Sequence, residues 1–296
     1  MTPRPTRRSF LGTTIASTAS AAAFGLASQT ARAGETPSSK PLKLGLMTYN
    51  LAHDWDLDTV IKNCTETGFE SVELRTTHAH GVEVSLSKAE RAAVRQRIAD
   101  SGLKLSLASG FAYHWDDPAK LRENVEGTKE YLLLAQDLGA LGIRVFPNAL
   151  LVEQGVPEEK TINQIAKAVA ELGAFAADHG VELRLENHGR GTNRVTVVKR
   201  ILDAADCPHV HMIWNCDRTD VEEPGFEANF NSVKDRIRHV HLHELSDLDY
   251  PYRKLFQLLR QNGYQGCCHA EVAGSEEPIR FMQYYRALFL ALQDAV

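Results

Sequence analysis

The sequence lacks three features that would point to common classes of protein. It has no excess of basic residues, since 33 Lys and Arg stand against 38 Asp and Glu, so neither a nucleic acid nor an anionic membrane is an expected partner. It has no long apolar run, because residues 15–27 are too few and too rich in Ser and Thr for a stable membrane span. Its five cysteines have no zinc-finger or ribbon spacing, so no disulfide framework is implied.

The first 33 residues have the pattern of an export signal. Arg7 and Arg8 lie in a twin-arginine pattern, an Ala-rich segment follows, and residues 31–33 read Ala-Arg-Ala, a small-x-small cleavage site. We therefore predict a twin-arginine signal peptide over residues 1–33 and a periplasmic or secreted protein. Cleavage leaves 263 residues and removes four arginines and no acid, which takes the formal net charge from −5 to about −9.

A repeated unit organises the rest of the chain. Residues 34–41 predict a disordered linker, and residues 42–296 predict one domain. In that domain an apolar strand, a polar loop and an amphipathic helix recur eight times, with a Gly before most of the following strands. Eight alternations in this length predict the α/β class and a single-domain (β/α)₈ TIM barrel.

An open doubly wound sheet is the alternative architecture. That fold would usually have a Gly-rich phosphate turn after its first strand, and residues 48–50 read Thr-Tyr-Asn instead. Helix starts are clear in either case. Ser87 and Glu90 form a capping box at the second helix, and Asp117 with Pro118 marks the start of the third.

Polar side chains gather where the predicted strands end, which is where a barrel binds its ligands. Residues 181–186 alternate in apolar character and end in Glu186, followed by Asn187 and His188. Because alternate residues of a strand share a face, Glu186 and His188 point the same way. The other predicted strand ends and the loops after them contribute Glu73, His78, His114, Asn215, Asp217, Asp220, His241, His243 and Glu271.

Three of these side chains suit a divalent metal. A cation of the Mn, Mg or Zn type prefers carboxylate oxygens with one or two imidazoles, and Glu186, His241 and Glu271 offer that set. A single histidine near a strand end also has simpler explanations. We favour hydrogen-bonded core positions for His239 and His269.

Four short motifs occur in order along the predicted barrel. They are residues 68–74 (Gly-Phe-Glu-Ser-Val-Glu-Leu), 185–188 (Leu-Glu-Asn-His), 240–244 (Val-His-Leu-His-Glu) and 263–266 (Gly-Tyr-Gln-Gly), the last leading to Glu271. With these motifs the chain resembles the xylose-isomerase-like barrel superfamily of sugar phosphate isomerases and epimerases over residues 42–292. The resemblance implies one divalent metal (Mn, Zn, Co or Mg) held by Glu186, a sixth-strand carboxylate, His241 and Glu271.

Two positions depart from the pattern of that superfamily. Asn215 stands where the family usually has Asp, and Asp217 follows on the same strand face, so either side chain completes the metal shell. An amide oxygen is the weaker ligand of the two. His243 stands where the family often has Lys. The run from Trp214 to Asp220 looks like a variant found in exported members.

The leading functional prediction is a metal-dependent isomerase or epimerase of a free or keto sugar. The metal would polarise a carbonyl so that the adjacent proton becomes acidic and an enediolate forms, with Glu186 and Glu271 as catalytic acid and base. Trp115 or Trp214 would pack on the sugar ring. Predicted substrate-binding residues are Glu73, His78, His114, His188, Asp217, Asp220 and His243.

Other functions fit the same pattern of residues. Loss of a β substituent after proton abstraction would make the protein a lyase, a dehydratase or a glycoside-cleaving enzyme. A periplasmic sugar-binding barrel without turnover would hold no tight metal. A nuclease of the endonuclease IV type is least favoured, since it needs more ligands and a basic surface. The expected partner is a small carbohydrate, without nucleic acid or membrane after signal cleavage, and with a homo-oligomer left open.

Overall fold

The structure, a computed structural model, describes residues 41–294. In this part of the chain eight parallel strands close into a barrel in which each strand pairs with its neighbours in the chain and the last pairs with the first. The predicted (β/α)₈ barrel is therefore confirmed. The strands are β1 (Lys43–Met47), β2 (Ser71–Arg75), β3 (Lys104–Ala112), β4 (Gly142–Phe146), β5 (Glu182–Glu186), β6 (Val210–Asn215), β7 (Ile237–Leu242) and β8 (Cys267–Ala270). The helices are α1 (Leu57–Thr67), α2 (Lys88–Ser101), α3 (Pro118–Leu138), α4 (Glu158–Asp178), α5 (Val195–Ala205), α6 (Phe226–Val233), α7 (Tyr252–Gln261) and α8 (Pro278–Asp294).

The predicted N-terminal segments lie almost entirely outside the described residues. This applies to the signal peptide, residues 1–33, and to residues 34–40 of the linker. Among residues 41–294, no helix combines the length and the apolar character needed to cross a membrane. All five cysteines belong to the described part, and there they are buried and unpaired.

The helices begin and end at the residues that local capping chemistry favours. The side chain of Ser87 accepts the backbone N–H of Glu90, and the Glu90 carboxylate accepts the N–H of Ser87, so the predicted capping box at α2 is present. Asp117 accepts two backbone N–H groups at the start of α3, where Pro118 occupies the first turn. Glycines in the left-handed conformation end three of the helices, namely Gly68, Gly102 and Gly139.

The strands separate apolar and polar side chains onto opposite faces of the barrel wall. In β2, Val72 and Leu74 belong to the apolar core beneath the helices, whereas Glu73 points into the barrel and reaches His241 of β7. The period of two along a strand causes this separation. Buried polar side chains of the inner face are Ser71, Glu73, Ser106, Arg144, Arg184, Glu186, Asn215, His239, His241 and His269.

A second, two-stranded sheet joins the loops that follow β4 and β5. Asn148–Ala149 pairs with Gly189–Arg190 at the mouth of the barrel. Gly189 has φ +93°, and a Cβ atom there would lie 1.8 Å from the carbonyl oxygen of Asn148. This close approach of the two backbones requires glycine. The pairing fixes the loop that carries His188 next to β4.

Gly45→Ala tests how tightly the inner face is packed. The new Cβ would lie 2.2 Å from Ser71 Oγ and 2.5 Å from His269 Nε2, so we expect a loss of about 1–3 kcal/mol of stability, or more, from overpacking. Gly274→Ala is the matched control because a Cβ there meets no atom within 4 Å. Urea unfolding followed by circular dichroism compares the two. Equal midpoints would contradict the packing described for β1, β2 and β8.

Candidate metal centre

The imidazole of His241 lies between three carboxylates inside the barrel. Its Nδ1 is 2.7 Å from Glu186 Oε1 and 3.3 Å from Glu271 Oε2, and its Nε2 is 2.6 Å from Glu73 Oε2. The side chains of Glu73, Glu186 and His241 are fully buried, whereas 14% of the Glu271 side chain is accessible. Because parallel strands end at the same mouth, residues distant in the chain converge here.

A buried guanidinium offsets part of the negative charge. Arg144 of β4 donates from Nη1 to Glu186 Oε2 over 2.8 Å, and its guanidinium lies 4.0 Å from the centre of the Phe146 ring. Burial by itself would raise the pKa of Glu186, but the charges of Arg144 and His241 outweigh it and lower the pKa to about 2. Glu186 therefore presents ionised oxygens at neutral pH.

The carboxylates around His241 also shift the pKa of its imidazole. Burial favours the neutral ring and lowers its pKa, but the charges of Glu73 and Glu186 reverse this effect and raise the pKa of His241 well above its ordinary value. The position is thus one where positive charge is strongly stabilised. A bound cation is another way of supplying that charge.

The residues present fit a divalent cation. Glu186, His241 and Glu271 each offer one ligand atom, and these atoms lie within 4.8 Å of one another. Asn215 of β6 pairs in register with His241 on the next strand, and its buried Oδ1 has no hydrogen-bond partner among residues 41–294. A buried amide oxygen without a partner is unfavourable unless a ligand satisfies it. Two carboxylates, an imidazole and an amide oxygen are donors that Mn²⁺, Mg²⁺, Zn²⁺ or Co²⁺ accept.

Contacts with the preceding strand orient Asn215. Its backbone N–H donates to Asn187 Oδ1 over 2.8 Å, and its Nδ2 donates to the Asn187 carbonyl oxygen over 3.4 Å. Because the side-chain NH₂ group faces Asn187, the amide oxygen is turned away from that residue. Oδ1 is therefore the atom of this side chain that is available as a metal ligand.

Comparison with known proteins identifies the family of this barrel. The sequence profile of the xylose isomerase-like TIM barrel matches residues 61–286, which is most of the chain. The chain belongs to the xylose isomerase-like TIM barrel family. Its Glu186, His241 and Glu271 all lie within the matched region.

Three known proteins are similar to this chain. An inosose dehydratase of Bacillus velezensis is 26% identical over 184 residues, which cover 62% of this chain and 58% of that enzyme. The structure of 3-keto-D-glucoside 4-epimerase from E. coli has a TM-score of 0.70 at 18% identity and covers 84% of this chain and 99% of that one. The IolI protein with a bound zinc atom has a TM-score of 0.68 at 15% identity, with 85% and 98% covered. At these identities the structural likeness shows the shared fold.

Asp217, the predicted alternative to Asn215, is engaged in the loop after β6. Its Oδ1 accepts Asn193 Nδ2 over 3.2 Å and the backbone N–H of Thr219 over 2.8 Å. It thereby caps the short 3₁₀ helix Arg218–Val221. Asn215 therefore suits the metal shell of this xylose isomerase-like barrel better than Asp217 does.

Three predicted substrate-binding histidines lie at the mouth. His243 is half-buried, with Nδ1 3.3 Å from the carbonyl oxygen of Glu271. His188 is exposed, and its ring lies 4.4 Å from that of Phe146. His78 is half-buried and lines a cleft of about 450 Å³ together with residues that follow β1 and β8. Their positions leave all three as predicted contacts of a substrate.

Three further predicted substrate contacts are buried. The ring of His114 lies 4.2 Å from that of Trp115. Asp220 accepts the Tyr250 hydroxyl over 2.6 Å on Oδ2 and Asn187 Nδ2 over 3.3 Å on Oδ1. Glu73 contacts His241 from inside the barrel. Glu73 thus contacts a candidate metal ligand, and Asp220 contacts Asn187, the residue that follows Glu186.

The prediction that Trp214 packs on a sugar ring is wrong. Trp214 is fully buried, and its indole N–H donates to the Tyr250 hydroxyl over 2.8 Å. Its neighbours in β6, Ile213 and Asn215, are in register with His239 and His241, the inward-facing histidines of β7. The alternation of the strand therefore directs Trp214 outward, against α6.

Two buried arginines lie outside the predicted set. Arg144 contacts Glu186, and Arg184 of β5 donates from Nη1 to Ser106 Oγ over 3.0 Å and to His239 Nδ1 over 2.9 Å. A signal for both exists in the sequence, because Arg144 is the one charged residue of β4 and Arg184 alternates with two leucines between Glu182 and Glu186. Strand parity also places Arg184 on the same face as Glu186.

Asn215→Asp tests the metal shell. A carboxylate in place of the amide adds a charged oxygen donor, so we expect Mn²⁺ to bind roughly tenfold or more tightly. Asn231→Asp, an exposed residue of α6, makes the same change of charge away from the site. Isothermal titration of each protein with Mn²⁺ measures the difference. Unchanged or weaker binding in the Asn215 variant alone would show that this side chain does not face the metal.

Asp220→Asn tests the buried acid behind the site. Burial raises the pKa of Asp220 to about 8, from an ordinary 3.8. The folded protein then keeps a proton that the unfolded chain releases between about pH 4 and 8, so stability falls as the pH rises through that window. We expect wild type to lose up to roughly 1 kcal/mol per pH unit relative to the variant. Urea unfolding at several pH values measures this, with exposed Asp178→Asn as control, and parallel curves would refute it.

Proposed function

We propose that this barrel is a metal-dependent isomerase or epimerase that acts on a free or keto sugar. The observation that carries the proposal is the convergence of Glu186, His241 and Glu271 at one mouth, together with the Asn215 amide oxygen, which has no hydrogen-bond partner in the described part of the chain. Membership of the xylose isomerase-like family supports it, as do similar proteins named for reactions of sugars or of the related inososes.

Glu186, Asn215, His241 and Glu271 would hold the cation. When bound, the cation supplies a Lewis acid that polarises a substrate carbonyl and makes the adjacent C–H group more acidic. Deprotonation next to a carbonyl and reprotonation of the same or the neighbouring carbon give the products of epimerases and isomerases. The chain must then supply a base that removes the proton and an acid that returns one.

Glu271 and Glu186 are suitably placed for proton transfer. Glu271 is the more exposed carboxylate and lies at the mouth, whereas Glu186 is held by Arg144 deeper in the barrel. Glu186 lies on β5 and Glu271 follows β8, and the two carboxylates reach Nδ1 of His241 from these different strands. Glu271 would remove a proton from one face of the substrate, and Glu186 would serve the other face. General acid–base steps of this kind contribute roughly 10²–10⁴-fold to a rate.

The histidines at the mouth would orient the sugar. His78, His188 and His243 present ring nitrogens around the entrance, and imidazoles donate to and accept from hydroxyl groups. The predicted twin-arginine signal supports a substrate outside the cytoplasm. A free or oxidised sugar suits that location better than a phosphorylated one.

Elimination is a second candidate outcome. The relative named inosose dehydratase is the observation that favours it. The same proton abstraction by Glu271 would then be followed by cleavage of a C–O bond on the neighbouring carbon. A C=C bond would form, and the hydroxyl or alkoxy group would take up a proton and leave as water or an alcohol. The identity of the product distinguishes elimination from epimerisation.

Proton exchange in deuterated water tests the proposal. The enzyme with Mn²⁺ is incubated with a panel of keto-sugars and 3-keto-glycosides, and NMR records which C–H bond exchanges and which product forms. We expect exchange at a carbon next to the carbonyl, loss of it with EDTA, and recovery on adding Mn²⁺. Glu271→Gln should lower the exchange rate by roughly 10²-fold or more, because the amide cannot accept the proton.

Glu276→Gln provides the matched control, since it makes the same change at an exposed residue a few positions along the chain. The control should exchange at the wild-type rate. If Glu271→Gln still exchanges the proton at the wild-type rate, Glu271 is not the base. Tight sugar binding with neither exchange nor product would favour a sugar-binding protein instead.

A further inference from the structure

We propose that Glu73 is a positioning residue of the metal centre: it accepts the Nε2–H of His241 and so directs the Nδ1 lone pair toward the space between Glu186 and Glu271. This inference rests on the metal site put forward above. It assigns Glu73 a role that differs from the substrate contact predicted from the sequence.

The two nitrogens of His241 face different partners. Nε2 is 2.6 Å from Glu73 Oε2, while Nδ1 faces Glu186 Oε1 at 2.7 Å and Glu271 Oε2 at 3.3 Å. A histidine that binds a metal uses one nitrogen and commonly donates its other N–H to a carboxylate, which fixes both the tautomer and the ring orientation. Nδ1 is therefore the nitrogen that shares a site with the two candidate ligand carboxylates.

Burial keeps Glu73 from meeting a substrate directly. Its side chain is fully buried, and it extends from β2 across the interior to β7. Its Oε1 has no hydrogen-bond partner within the described chain. The contact of Glu73 with the functional site thus passes through His241.

Glu73 also belongs to a second group of side chains that could hold a metal ion. Glu73, His239 and His241 also offer three ligand atoms within 4.8 Å of one another. Arg184, however, donates to Nδ1 of His239 over 2.9 Å, and a guanidinium is always a donor. The proton of the neutral His239 ring must then lie on Nε2, the nitrogen 3.4 Å from Glu73 Oε2. A protonated nitrogen cannot bind a cation, so His239 does not join Glu73 as a ligand.

Hydrogen bonds and ring stacking fix the side chains that lie next to Glu73 inside the barrel. Arg184 is itself fixed by Glu182, whose Oε2 accepts from Nε and Nη2 over 2.8 and 2.6 Å. The ring of His239 stacks on that of His269 at 4.0 Å, and His269 Nε2 lies 2.8 Å from Ser71 Oγ. The residues that connect the start of β5 to the metal centre, in order of contact, are Glu182, Arg184, His239, Glu73 and His241.

Binding of Co²⁺ tests the proposal without requiring a substrate. The visible spectrum of Co²⁺ reports its coordination, and competition with a chelating dye gives its affinity. Glu73→Gln retains an acceptor oxygen but loses the charge, and Glu73→Leu loses both. We expect Co²⁺ to bind about 10-fold to 100-fold more weakly in these variants, with the larger loss in the Leu variant and an altered spectrum. Glu70→Gln, exposed and three residues earlier in the chain, should leave both readouts unchanged.

Urea unfolding of the same proteins separates positioning from support of the fold. If the Glu73 variants lose stability but bind Co²⁺ as wild type does, Glu73 is structural and the proposal fails while the metal site stands. If wild type binds two Co²⁺ ions per chain and Glu73→Gln binds one, Glu73 is itself a ligand and the proposal also fails. If wild type binds none, the proposed function fails first.

A measurement on the wild-type protein covers the case in which the Glu73 variants do not fold. With ¹⁵N-labelled histidine and Zn²⁺, NMR shows which nitrogen of each ring carries the proton, and comparison with His241→Gln assigns the signal. We expect a proton on Nε2 of His241 and Zn²⁺ at Nδ1. The reverse assignment would overturn the proposal.

Discussion

The contact of one imidazole with three carboxylates is the interaction around which this barrel interior is arranged. His241 lies between Glu73, Glu186 and Glu271, and two buried guanidiniums lie nearby, that of Arg144 paired with Glu186 and that of Arg184 paired with Glu182. Removing these groups from water is expensive, and well-packed apolar residues in their place would often be as stable or more so. A buried charge network of this extent therefore points to a functional requirement.

The barrel meets that requirement by using its two faces differently. The outer face of each strand packs apolar side chains against the helices and supplies the hydrophobic core. The inner face is then free to carry ionic and hydrogen-bonding groups that contribute little to burial of apolar surface. Gly45 shows how closely these inner groups are packed, since even a methyl group would meet Ser71 and His269.

The sequence predicted the fold and much of the candidate site for reasons of local physics. The periods of strand and helix, the capping box at Ser87 and the glycines after the helices are all properties of short segments. The polar ends of the predicted strands indicated Glu186, His241 and Glu271 as candidate metal ligands. Packing of Trp214 on a sugar was the error, although the parity of β6 could have placed this side chain on the outer face.

The order of the eight strand–helix units and the polar residues at their ends could be predicted from the sequence, because they follow from composition over a few residues. Three contacts became visible only in the folded barrel: within residues 41–294, Asn215 and not Asp217 has a buried oxygen without a hydrogen-bond partner, Arg144 pairs with Glu186, and Glu73 faces Nε2 of His241. Those contacts depend on the register of closed strands and on the crossing of side chains inside the barrel. Such distances are set when the sheet closes, and no local pattern in the chain records them.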